Sequence, residues 1–278
     1  MWVAGIDLAL GERRGDGVCF VEVGRGHARV AGYAYPHGDD ELLATLAARI
    51  PRAAPSLLAI DAPIVCPNAM GSRPVDRATH RRFHREHAGC HPANSSRCRR
   101  PPRVAARLAE LGFAIGHDPT HRPRLMAEVY PHPALVRFLR LPRIVKYKRG
   151  PVAARRREFR RLGCLLRCFA ARELPFLALD DETRRLLAEP WSKPVEDRVD
   201  AFVCALIGLW HLHYEGRWSE VLGDLATGFL LLPAETRPHA LATGATPGGE
   251  QRLTRTRASR SAPVGGSRAG RPRSAPRR

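Results

Sequence analysis

Four strand-like segments lie within the first 61 residues, and the links between them are of two kinds. That contrast restricts the fold more than any other feature. Residues 3–9 (VAGIDLA), 17–23 (GVCFVEV) and 29–35 (RVAGYAY) are separated by GERRGD and GRGH. Links this short suit turns, so the three strands make an antiparallel meander. Residues 39–50 (DDELLATLAARI) instead have helical spacing, with Asp39 or Asp40 available as N-cap. They lead to 56–61 (SLLAID), which is apolar on both faces, as a central parallel strand should be.

Downstream the signals are weaker. Residues 64–125 read as an irregular basic excursion with one or two helices, and 125–130 (LMAEVY) as a short strand. Helices are expected near 133–140, 152–173 and 180–189. The clearest helix is 194–213 (PVEDRVDAFVCALIGLWHLH), with Pro194 in its first turn, and 229–232 (FLLL) adds a short strand. The order predicts an α/β fold: a mixed sheet, antiparallel meander first and parallel strands after, flanked by helices and carrying a basic insert.

Charge divides the chain. The 46 Lys and Arg outnumber 27 Asp and Glu, for a formal net charge of +19. Residues 236–278 hold ten Arg and one acid, Glu250, with almost nothing apolar to bury. The expected organisation is one domain over 1–235 and a disordered Arg-rich tail over 236–278. The tail suits a nucleic-acid-binding arm and equally a solvated extension. Seven cysteines without a CxxC pair argue against a disulfide framework and for a reducing, cytoplasmic interior. Cys164 and Cys168, one helical turn apart, are expected in the core. No apolar run reaches the length of a membrane span, and Asp7 interrupts the first apolar stretch, so neither a membrane helix nor a secretory signal is expected.

Four acids break apolar segments. Asp7 interrupts the first strand, Asp61 ends SLLAID, Glu128 interrupts MAEVYP, and Asp200 lies a full turn inside the last helix. Asp61 sits at the carboxyl end of its strand, where open α/β sheets place their sites. Asp197, three residues before Asp200, shares its helix face. If the strand of Asp61 pairs beside that of Asp7, these carboxylates become neighbours. Converging carboxylates repel, and a hard divalent cation, Mg²⁺ or Mn²⁺, resolves the conflict. Asp7, Asp61, Asp197 and Asp200 are therefore the candidate metal ligands. Salt bridges to neighbouring arginines are the structural alternative.

GIDLA at 5–9, AIDAP at 59–63, GSRPVDR at 71–77, EVYPHPAL at 128–135, YKRG at 147–150 and VEDRVDAFVCAL at 195–206 occur in that order. Together they resemble the domain-of-unknown-function family 429, whose members are described as predicted nucleases with an RNase H-like fold. The resemblance implies acids on the first strand, the fourth strand and the C-terminal helix: Asp7, Asp61 and Asp200, with Asp197 as accessory. Glu128 falls in the EVYP motif and ranks as a further catalytic candidate. Arg73 and Lys148 fall in family-like segments and are candidate phosphate contacts.

The leading expectation is thus a metal-dependent nuclease acting on DNA or RNA. A non-catalytic nucleic-acid-binding protein is the alternative. An ATP-using enzyme is a third, disfavoured because glycine-rich phosphate signatures are missing. His84, His87, Cys90, His91 and Cys98 could suggest zinc, but their spacing matches no standard finger and a basic loop is the better reading.

Overall fold

The two kinds of link produce two kinds of strand pairing. In a computed structural model that describes residues 1–120 and 122–235, β1 (Trp2–Asp7), β2 (Gly17–Val23) and β3 (Ala28–Ala34) pair antiparallel in succession. After helix α1 (Gly38–Arg49), β4 (Ser56–Ile60) returns to pair parallel with β1. The insert then forms α2 (Pro74–Phe83), α3 (Arg100–Glu110) and the two-residue β5 (Ala114–Ile115). β6 (Arg124–Glu128) pairs parallel with β4.

The remaining elements are α4 (Pro131–Phe138), α5 (Val152–Glu173), β7 (Leu177–Ala178), α6 (Asp181–Leu186) and α7 (Lys193–His213). A hairpin, β8 (Ser219–Asp224) and β9 (Gly228–Pro233), follows. The main sheet has seven strands in the order β5-β6-β4-β1-β2-β3-β7. The mixed α/β sheet flanked by helices is therefore present. The tail, 236–278, with its expected disorder and domain boundary, lies outside the described residues.

Alternation along the central strands feeds two cores. Val3, Leu57, Ala59 and Ala127 face α4, α5 and α7, which contribute Leu135, Phe138, Leu166, Phe169 and Phe202. Ala4, Ile6, Leu58, Ile60 and Met126 face α1 and α3, which contribute Leu42, Leu46, Val104 and Leu108. Helix α7 lies directly on the sheet because two glycines let it. A Cβ at Gly5 would come within 2.0 Å of the Ala201 carbonyl oxygen, and one at Gly17 within 2.1 Å of that of Asp197. The glycine of GIDLA, Gly5, thus sets how near the acids of α7 come to β1.

Several local expectations need correction. Helix α1 starts at Gly38 with His37 as N-cap, and Asp39 is not a cap. Its carboxylate instead accepts hydrogen bonds from Arg100 Nε at 2.8 Å and Arg103 Nε at 2.9 Å. Cys164 and Cys168 are exposed, not core. The buried stripe of α5 runs through Phe159, Leu162, Leu166 and Phe169, and the thiols fall beside it. The last strand pairs with β8, which the sequence reading did not anticipate because its residues are half-buried or exposed and carry a weak apolar signal.

Among the described residues no helix is long and apolar enough to cross a membrane.

Candidate functional site

The register of the parallel strands decides which acids meet. Ile6 pairs with Ile60, and the Asp61 amide donates to the Ile6 carbonyl at 2.8 Å. Asp7 and Asp61 therefore leave adjacent strand ends side by side. Both project to the α7 side of the sheet, the side of Val3 and Ala59. Asp200, fully buried on α7, arrives from above.

Glu128 lines a cavity with Asp7 and Asp61 but leaves the sheet on a different face. It pairs with Ile60, one residue short of Asp61, so alternation sends it to the opposite face. There Arg73 clamps it, Nη1 to Oε2 at 2.7 Å and Nη2 to Oε1 at 2.6 Å. The same guanidinium meets Asp76 Oδ1 through Nη2 at 2.8 Å and the Val65 carbonyl through Nη1 at 2.9 Å. Arg73 is only 2% exposed. It lines a cavity with Asp7 and Asp61, but its charge is already matched by two acids. These acids outweigh the cost of its burial and hold its pKa above the ordinary value.

A second buried network fixes the β1–β2 loop. Arg100 donates to both Asp16 oxygens, at 2.8 and 2.6 Å, and to the Ala9 carbonyl at 2.7 Å. Asp16 accepts in turn from the Ala9 amide at 2.9 Å. The backbone just beyond Asp7 is thereby tied to the start of α3.

The three convergent acids are compensated far less. Asp200 accepts from the Tyr147 hydroxyl at 2.5 Å and forms an ion pair with Lys148 Nζ at 2.8 Å. Asp7 and Asp61 have no hydrogen bond or ion pair to their carboxylates among the described residues. Burial raises the Asp7 carboxyl well above the carboxylate range, and the nearby Asp200 and Asp61 raise it further against the pull of Lys148. Burial likewise pushes Asp61 up to about 7, opposed first by Lys148. Asp200 is raised by burial against the opposing effects of Lys148 and Tyr147. Lys148 is held firmly charged, since the surrounding acids outweigh its burial.

Asp197 stands apart. Lys193 Nζ lies 2.6 Å from its Oδ1, and the Tyr35 hydroxyl donates to Oδ2 at 2.9 Å. Burial and this bond push Tyr35 up to about 12. Lys193 and Tyr35 were not singled out by sequence reasoning. Lys193 had a signal, since it precedes Glu196 and Asp197 by three and four residues on one helix. Tyr35 had none, because its contact spans 162 positions.

Two cavities reach the acids. One of about 270 Å³ is lined by Asp7, Asp61, His91 and Tyr130, and also by Arg73, Asp76 and Glu128 of the clamp. Another of about 510 Å³ is lined by Asp7, Arg13, Arg14, Lys193 and Asp197.

The donor chemistry suits a hard divalent cation: oxygen ligands from three elements, two of them without partners. The spacing is looser than coordination requires. Among the described residues no three His, Cys, Asp or Glu side chains form a group that could hold a metal ion. An ion there would compete with Lys148 for Asp200.

A family model described as "Protein of unknown function (DUF429)" matches residues 5–224. No curated protein and no solved structure matches the chain.

Proposed function

The chain belongs to the DUF429 family, and from that premise we propose that it is a divalent-cation-dependent nuclease with an RNase H-like fold. One observation carries the reading. Three buried or half-buried acids, Asp7, Asp61 and Asp200, converge from β1, the end of β4 and α7 with a single lysine among them. An uncompensated charge of this kind is costly in a protein interior, and a structural site has no reason to keep it. The antiparallel meander followed by parallel strands, with α7 laid across β1, supports the RNase H-like reading.

Magnesium or manganese held by Asp7, Asp61 and Asp200, with Asp197 as accessory, would supply Lewis-acid polarisation of a phosphoryl oxygen. The chain's own groups do the rest. Lys148 offsets the charge of an incoming phosphate. Tyr147 fixes one oxygen of Asp200. Lys193 and Tyr35 keep Asp197 in place behind the site. Exposed Arg13 and Arg14 at one mouth and Lys146 and Arg149 near the other suit a polyanionic backbone.

The test is hydrolysis of single-stranded, duplex, hybrid and branched nucleic acids with Mg²⁺ or Mn²⁺. Asp7→Asn should lower the rate more than about 100-fold, beyond what outer-shell groups usually contribute. No cleavage of any substrate, or cleavage indifferent to Asp7→Asn, rejects the reading.

The Lys148–Asp200 ion pair favours a second reading, a nucleic-acid-binding protein without catalysis, because it already neutralises one acid. Salt-sensitive binding that survives both chelator and Asp7→Asn, with no hydrolysis, would select it.

A further inference from the structure

A third cavity, of about 520 Å³, adjoins the carboxylate site and has a different chemistry. His91 and Tyr130 line both this cavity and the one that reaches Asp7 and Asp61, so the two are contiguous. Lys148, whose Nζ is 2.8 Å from Asp200, lines the third cavity and so ties it to the carboxylate site.

No acid lines the third cavity. Its floor includes Ile144 and Val145, and two rings stand in its wall. Tyr130 and His132 meet edge to face, with ring centroids 5.4 Å apart at 71°. Its rim carries Lys146, Lys148 and Arg149. His132 stays uncharged, since burial, helped by Lys148, His91 and Arg149, pushes it down to about 3. The cavity thus joins an uncharged aromatic and aliphatic surface to a cationic rim, at a volume within the usual range for small-ligand pockets.

We propose that this cavity receives one unstacked nucleotide of a single strand, its base against Tyr130 and His132 and its phosphate between Arg149 and Lys148. The inference rests on the nuclease reading for its statement that this phosphate is the one delivered to the acids. It adds a substrate class: strands whose bases are free to leave the stack, such as single-stranded ends, gaps and branches. A base within an intact duplex cannot enter without unpairing, which costs a few kcal/mol. Stacking on aromatic rings is sequence-tolerant, so no strong base preference should accompany it.

Binding of the full-length protein, in chelator, to an oligonucleotide containing 2-aminopurine tests this without cleavage. The single strand should bind at least about tenfold tighter than the blunt duplex of the same sequence, with a change in 2-aminopurine emission. A nucleoside 5′-monophosphate should compete better than inorganic phosphate at matched ionic strength. Arg149→Ala, at an exposed position, should weaken single-strand binding several-fold. Tyr130→Leu should weaken it about tenfold, with folding checked by circular dichroism.

Equal affinity for single strand and duplex, equal competition by inorganic phosphate, or unchanged binding by Arg149→Ala each overturns the proposal. The two readings fail separately. Metal-dependent cleavage with no single-strand preference leaves the nuclease and removes the pocket. Single-strand preference without cleavage leaves the pocket as a binding site and removes the nuclease.

Discussion

The chain buries acids in two ways. Asp16 and Asp39 share Arg100, and Asp76 and Glu128 share Arg73. In each case one planar guanidinium bridges two carboxylates, with backbone groups taking up its remaining donors or their remaining oxygens. Asp39 shows the result. Its carboxyl is held below the ordinary value although burial opposes it. At the strand ends, Asp7, Asp61 and Asp200 share Lys148, a point charge, with Lys193 acting more weakly on Asp61, and all three are raised. The arginine networks are complete as they stand, whereas the strand-end site still requires positive charge. Glu128 marks the limit of the contrast: burial pushes it up to about 7 in spite of Arg73, so neither burial nor a raised pKa marks a functional acid by itself, and the missing partner is what sets Asp7 and Asp61 apart.

The largest expected effect falls on the arginine networks. Arg100→Met leaves Asp16 and Asp39 buried without their shared cation, and breaking such a pair costs about 3–5 kcal/mol. Asp7→Asn should leave stability unchanged or raise it, because it removes a carboxyl whose charged form burial and the neighbouring acids disfavour. Urea unfolding of both variants checks the contrast. Equal destabilisation by the two substitutions would mean that Asp7 is as well compensated as Asp16, and the comparison would fail.

A smaller effect should come from the cation itself. An ion that binds the folded chain only, at about 100 times its dissociation constant, stabilises by about 2.7 kcal/mol. Mn²⁺ should therefore raise the Tm of the wild type, and Asp7→Asn should remove the shift. Arg100→Met should keep the shift despite its lower starting Tm, because its network takes no part in ion binding. A wild-type Tm that Mn²⁺ does not move would argue against a cation site here.

Much of this was legible from one dimension. Link length separated the antiparallel meander from the parallel β4, and the register that follows brings Asp7 beside Asp61. Asp200 was conspicuous because an acid deep inside an apolar helix needs a reason. Glu128 shows where such reading ends. It breaks its apolar run just as Asp61 does, and only the register, set by one residue, puts it on the other face. The burial of Arg73 was hidden for a related reason, since nothing local shows that an arginine will be buried against a carboxylate 55 positions away. Tyr130 and His132 gained significance only when the loop carrying Lys146 to Arg149 folded over them to enclose the third cavity.

The smallest predicted effect is one of sign. Asp61 has a folded-state pKa of about 7, against about 4 when unfolded. Between these values the folded chain keeps a proton that the unfolded chain has lost. The stability this contributes is complete below about pH 4 and is lost as pH rises through 7. Asp39, with its depressed pKa, acts oppositely: its contribution is present above the unfolded value and is lost as the solution turns more acid. Asp61→Asn should therefore flatten a decline in stability between pH 4 and 7, on the order of 1–2 kcal/mol once partial exposure is allowed for. Asp39→Asn should leave that window alone and change only the acid limb. Unfolding curves at one-unit pH intervals separate the two. Identical slopes between pH 4 and 7 for wild type and Asp61→Asn would show that the strand-end acids are already neutralised, and would remove the physical reason for a cation there.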